Sequence, residues 1–145
     1  MTGGLASLAP FAPAAFVPMS AADVEDNLPA VLARRTARHS ARAAVRWGRR
    51  ELSYAALAEE SLAVARAIGA TLDGTEPGRI VLLLADRIQQ VVAALGVLEA
   101  GHAFVPLDPS QPAARLAQYI ADADPALIVA ERSTRALADE LAGAA

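Results

Sequence analysis

The 145-residue sequence contains neither cysteine nor lysine. The first absence rules out a disulfide framework, a thiolate metal site and a thiol nucleophile. The second removes a phosphate-loop lysine, a Schiff-base amine and a lysine general base, and leaves arginine as all 13 basic residues. Aromatic residues amount to 4% of the chain, and alanine supplies much of the 54% hydrophobic fraction, so core contacts are individually small. Long apolar runs are missing as well. The longest, residues 80–85, is strand-sized, against the roughly 20 residues that a membrane-spanning helix needs. The two histidines, His39 and His102, stand 63 positions apart with no H-E-x-x-H or paired-ligand spacing, so neither is expected to bind a metal. No G-x-S-x-G elbow, G-x-G-x-x-G fingerprint or Walker sequence occurs, which sets aside the hydrolase, dinucleotide and P-loop classes.

What is present is unevenly charged. The net charge of −3 combines seven arginines against three acids in residues 1–50 with six against thirteen in residues 51–145. The basic run is Arg34, Arg35, Arg38, Arg42, Arg46, Arg49 and Arg50. No aromatic ladder or nucleic-acid reader motif accompanies it, and the chain as a whole is acidic. It reads as a solvated helix face followed by a hairpin, away from the strand ends where α/β domains bind ligands, and no nucleic-acid partner is expected. Residues 1–22 are apolar, lack the basic start of a signal peptide and are interrupted by Pro10, Pro13 and Pro18. They are expected to form a flexible arm ahead of one partial domain at residues 23–145, in a cytoplasmic chain without membrane association.

Periodicity and punctuation give the elements. Asn27 precedes a short arginine-rich helix ending near His39, and two short strands at about 43–47 and 50–53 flank Gly48-Arg49, a connection suited to a tight hairpin. Ser53 can cap a helix whose apolar side is Tyr54, Leu57, Ala58, Leu62, Ala65, Ile68 and Leu72. A surface loop at 73–78 leads to a strand at 79–85 that is apolar throughout and so buried on both faces. Asp86 and Gln89 form a capping-box-like pair opening a helix at 87–100. That helix is apolar nearly all round, which predicts cover on two sides, an exposed apolar patch and self-association. Gly101 closes the helix, residues 103–106 form a strand, and Pro106, Asp108 and Pro109 make a rigid corner. Pro112 takes the first position of a helix reaching about Ala123, after which come a strand at 126–130 and a helix at 133–142. The alternation of strands and helices predicts an open, mostly parallel α/β sheet with flanking helices. Asp86 at a strand end invites comparison with a receiver-domain phosphoacceptor, but such a site needs a lysine.

Two stretches carry more than local physics. Leu52-Ser53-Tyr54-Ala55-Ala56-Leu57 resembles the first core motif of the adenylate-forming superfamily, most closely of nonribosomal peptide synthetase adenylation domains. Residues 98–109, LEAGHAFVPLDP, are similar to the second, with Gly101, Pro106, Asp108 and Pro109 in place, and Pro112, Arg115-Leu116 and Asp122 continue the likeness. It covers roughly residues 25–135. Ala56 stands where the family usually has glutamate, Glu99 where it has lysine and Phe104 where it has tyrosine; Gln111 and Ala114 replace a tyrosine and a glutamate. These departures fall in packing and turn motifs and bear on interdomain contacts more than on the fold.

The resemblance implies a fold position, the opening α/β part of the family's large N-terminal subdomain. It makes Leu52, Ser53, Tyr54, Leu57, Gly101, Pro106, Asp108, Pro109 and Arg115 structural motif residues. It assigns no catalytic, cofactor-binding or metal residue, because the family's phosphate-binding loop, acid pocket, Mg-binding glutamate and catalytic lysine follow the matched region. The implied function is that of a truncated piece of an ATP- and Mg-dependent ligase, not catalytic alone and holding no cofactor itself. A non-catalytic scaffold, or one half of a split synthetase, is the alternative, and the expected partners are the remainder of a synthetase or a second copy.

Overall fold

The computed structural model describes residues 24–73 and 76–143. The arm expected at residues 1–22, and positions 74 and 75 of the expected surface loop, lie outside the described residues.

Helix α1 (Leu28–His39) starts where predicted, with the Asn27 side chain accepting a hydrogen bond from the Ala30 amide at 2.9 Å and Pro29 in the first turn. Strands β1 (Ala43–Trp47) and β2 (Arg50–Ser53) pair antiparallel with Trp47 opposite Arg50 and Arg46 opposite Glu51. Gly48 supplies the positive φ, +60°, that the first central position of this two-residue connection requires. Ser53 caps α2 (Tyr54–Thr71), its Oγ accepting from the Ala56 amide at 3.2 Å.

Strand β3 (Arg79–Leu83) is the centre of the molecule, with Ile80, Val81, Leu82 and Leu83 at most 1% exposed. It is paired in parallel with β4 (Ala103–Leu107) on one side and β5 (Leu127–Ala130) on the other. Helix α3 (Arg87–Glu99) connects β3 to β4, α4 (Ala113–Ala123) connects β4 to β5, and α5 (Arg135–Gly143) follows. Alternation along β3 divides the core. Val81 and Leu83 meet Leu116, Ile120, Ala138 and Leu141 of α4 and α5, while Ile80, Leu82 and Leu84 meet Ile68 of α2 and Ala93 and Val97 of α3. A third cluster, Leu32, Leu57, Ile88 and Val92, ties α1 to α2 and α3.

Four details depart from the sequence expectation. The hairpin forms its own two-stranded sheet, so the parallel sheet has three strands among the described residues. The ladder of β3 ends at Leu83, because Leu84 and Ala85 run past the last residues of both neighbours, Leu107 and Ala130. Helix α4 starts one residue late: Pro112 has ψ 136°, an extended value, and serves as the N-cap residue. The capping box at α3 is only half made. Asp86 accepts from the Ile88 and Gln89 amides at 2.9 and 3.2 Å, but the Gln89 side chain turns to Glu60 on α2, and the Asp86 amide donates instead to Glu131 Oε2 at 3.3 Å.

Candidate functional site

Parallel α/β sheets offer a ligand the loops after their strand C-terminal ends. Here those loops carry three acids: Asp86 after β3, Asp108 after β4 and Glu131 after β5.

Each acid is already engaged. Asp86 caps α3 and pairs with Arg50 of the hairpin, whose guanidinium, ahead of the two α3 amides, holds the carboxyl below its usual range against the opposing effect of burial. The arginine cluster was expected to lie away from the strand ends; β2 instead carries Arg50 across to the end of β3. Asp108 accepts from the Ser110 amide at 3.0 Å while its own carbonyl accepts from the Gln111 amide, an Asx-turn that lowers its pKa. Glu131 receives the Asp86 amide and the Ser133 hydroxyl. Beneath them, the buried Thr134 hydroxyl donates to the Leu83 carbonyl at 2.6 Å and accepts from the Glu131 amide at 3.1 Å. The helix N-terminus that could hold a phosphate is thus occupied by the chain's own carboxylate. Among the described residues, no three His, Asp or Glu side chains are grouped to hold a metal ion. Arginines stand among these acids: Arg50 is engaged by Asp86, Arg87 acts on Asp108, and Arg132 adjoins Glu131; the sequence has no lysine.

The motif residues separate into two places. Leu52, Ser53, Tyr54 and Leu57 gather where the hairpin enters α2. There Leu57 is buried, Leu52 and Tyr54 pack on its cluster, and the Tyr54 amide donates to the Arg42 carbonyl. The second motif runs along β4. Gly101, at φ +81°, completes a Schellman end for α3, with its amide on the Leu98 carbonyl and that of His102 on the Val97 carbonyl. Pro106 faces outward beside α3, and Asp108 and Pro109 make the corner. Arg115, on α4, is exposed; it donates to the Tyr119 hydroxyl at 2.7 Å and lies over its ring. The helix that follows the first motif meets the second motif where Glu99 Oε1 accepts from the buried Ser61 hydroxyl at 3.1 Å.

Sequence reasoning passed over Thr134, Glu131, the Arg50–Asp86 pair and the Ser61–Glu99 bond. None has a local signature, since the partners lie 36 to 51 positions apart, apart from the Thr134–Glu131 turn. A polar residue opening a helix just after a buried strand was the one available hint for Thr134.

Comparison with known proteins is consistent across sequence and fold. A family model described as AMP-binding enzyme matches residues 32–145. Tenellin synthetase of Beauveria bassiana is 40% identical over 107 residues, which is 73% of this chain and 2% of that protein. The dimodular nonribosomal peptide synthase of Bacillus subtilis is 41% identical over 87 residues, 59% of this chain and 4% of its own length. Among solved structures, a benzoate CoA ligase from Burkholderia xenovorans superposes with a TM-score of 0.72 at 22% identity, over 83% of this chain and 24% of that ligase. The anthranilate CoA ligase AuaEII, in complex with anthranoyl-AMP, gives 0.70 at 18% identity, over 82% and 23%. No described helix is long and apolar enough to cross a membrane. With its family-model match over residues 32–145 and its α/β fold shared with solved CoA ligases, this chain belongs to the AMP-binding enzyme family, and it spans only a small part of the length of the relatives it matches.

Proposed function

We propose that this chain is an opening scaffold piece of an adenylate-forming ligase and does not activate an acid by itself. The parent reaction joins an amino or carboxylic acid to AMP at the expense of ATP and passes the acyl group to a thiol. Its chemical step depends on placing a carboxylate against the α-phosphate and stabilising the charge that develops there, which takes positioned cations, backbone donors and a metal. The observation that carries the reading is the state of the strand-end loops: all three acids and the α3 amides are bonded within the chain. We place residues 23–145 in one partial subdomain and the chain in the cytoplasm, without nucleic-acid or membrane partners; cell fractionation tests the location.

A split synthetase is the second reading, supported by an open apolar groove lined by Val91, Leu95 and Leu98 of α3 with Phe104 and Pro106 of β4, a surface that a second polypeptide could cover. It is tested by adding a second polypeptide carrying the family's phosphate loop and C-terminal lysine. Restored pyrophosphate exchange, weakened by Pro106→Gly with Asp108→Ala, supports a split enzyme. Absence of rescue supports the scaffold reading.

A further inference from the structure

The two outer strands of the parallel sheet differ in how they guard their free edges. In β4 the Ala103 amide donates inward, to the Gly78 carbonyl, so alternation turns the Phe104 and Pro106 positions outward, where Pro106 has no amide to offer. β5 has no such device. Residues 126–130 hold no proline and no charge, β5 pairs with β3 without a bulge, and it has no second neighbour among the described residues. Two open crevices run along it, each lined by Ile128 with Ala138 and Asp139 of α5 and by no residue of β3, which places them on the strand's outer side. The edge is a row of unpaired main-chain groups, the template on which another strand adds.

We propose that a second copy of this chain adds there, β5 against β5 and antiparallel about a two-fold axis, joining two three-stranded sheets into one. The charges set the direction. Asp122 and Asp124 precede β5, Arg132 and Arg135 follow it, and all four are exposed. Parallel addition would set acid beside acid and base beside base, whereas antiparallel addition sets the acidic end of each copy against the basic end of the other, twice.

The faces set the register. Ile128 and Ala130 lie on the side of α4 and α5, Leu127 and Val129 on the side of α2 and α3. A two-fold axis perpendicular to the sheet keeps each face on its own side, so every residue must oppose one from its own set. Placing Ile128 opposite the partner's Ile128 meets that condition and pairs the whole apolar run: Leu127 opposes the partner's Val129, Ala126 opposes the partner's Ala130, and Asp124 comes to the partner's Arg132. Centring on Val129 instead would set Leu127 against the partner's Glu131, whose amide already donates to the Thr134 hydroxyl. An isologous contact of this kind closes on itself and stops at a dimer. It uses neither the strand-end loops nor the groove beside β4, and so it is independent of the catalytic reading above.

The test is sedimentation equilibrium of the full chain, with single cysteines added as probes to a sequence that has none. The expected result is a reversible monomer–dimer equilibrium at concentrations up to about 100 μM, with no larger species. Under mild oxidant Ile128→Cys should give a disulfide-linked dimer, because residues opposed across antiparallel strands bring their Cβ atoms to about 5 Å. Val129→Cys should not, because the partner's Val129 then lies two residues along the strand, roughly 7–8 Å away. Arg132→Glu should weaken the dimer about tenfold by setting acid against Asp124, and adding Asp124→Asn, which suits the left-handed backbone at that position, should recover part of the loss. Arg132 is exposed and outside the core, so this arm holds even where a cysteine variant unfolds. A chain that stays monomeric throughout the range would overturn the proposal. So would a dimer that Arg132→Glu leaves unchanged, or one that Val129→Cys links as readily as Ile128→Cys, since the contact would then lie elsewhere on the surface or in another register.

Discussion

Thr134 joins three pieces of the molecule through one hydroxyl. It donates to the end of β3 and accepts from the turn after β5, in a site only 6% exposed. Thr134→Val keeps the shape and strips both bonds, leaving the Glu131 amide without that partner; by the cost of an unsatisfied buried polar group this should lower stability by about 1–3 kcal/mol in denaturant unfolding. Asp86 gives a prediction with a pH signature. Its folded-state carboxyl is held below the ordinary 3.8, chiefly by Arg50. A group so depressed contributes stability that is fully present above its unfolded pKa and is lost as pH falls through the folded value. Asp108 has the same sign, from its Ser110 bonds. Asp86→Asn preserves an acceptor for the α3 amides but cannot titrate, so its unfolding free energy should fall less steeply than the parent's as pH falls below 5; an identical slope would show that the folded-state carboxyl is not depressed. What was legible at this scale was local. Ser53, Asn27 and Asp86 announce themselves because a cap bonds amides two or three residues on. The far partners of Thr134 and Asp86 come together only when the sheet forms.

Helices α2 and α3 owe their close approach to Gly96. A Cβ built there would stand 2.7 Å from the Ser61 carbonyl oxygen and equally close to the Val64 side chain. On an isolated helix Gly→Ala gains up to about 1 kcal/mol. Here the backbone of α2 blocks it, and Gly96→Ala should instead cost about 1–3 kcal/mol by overpacking, read as a lower unfolding midpoint. On the other face of the sheet, Leu116 is fully buried among Val81, Leu83 and Leu141. Leu116→Ala should cost about 2–5 kcal/mol, checked the same way. Strand and helix positions were readable because their cues are periodic: residues 80–83 are apolar without alternation, as a strand covered on both faces must be. The division into a hairpin and a separate parallel sheet was not readable, since pairing partners depend on contacts across the chain. The half-made capping box fails for the same reason, because Glu60 and Glu131, from two other parts of the chain, capture the groups that would have closed it.

As a whole the molecule is a three-stranded parallel sheet covered by helices on both faces, with β4 and β5 at its edges among the described residues. The family was legible through residues 98–109, whose rigid corner the structure reproduces, and through Ser53 and Leu57 at the start of α2. Of the strand-end acids, Asp86 was legible as a cap and Asp108 as a corner residue, while Glu131 and the long-range bonds around it emerge from the folded chain. The proposed function requires that these loops, whose acids are bonded within the chain, do not perform adenylation. The most direct measurement is acid-dependent exchange of pyrophosphate into ATP by the purified chain alone, with Mg²⁺ and a panel of amino and aryl acids, on material that unfolds cooperatively. Exchange at the background rate is expected with every acid. Exchange above background that depends on one acid and on the chain's concentration would contradict it, because a phosphate-binding site would then exist among residues whose groups are here bonded to one another.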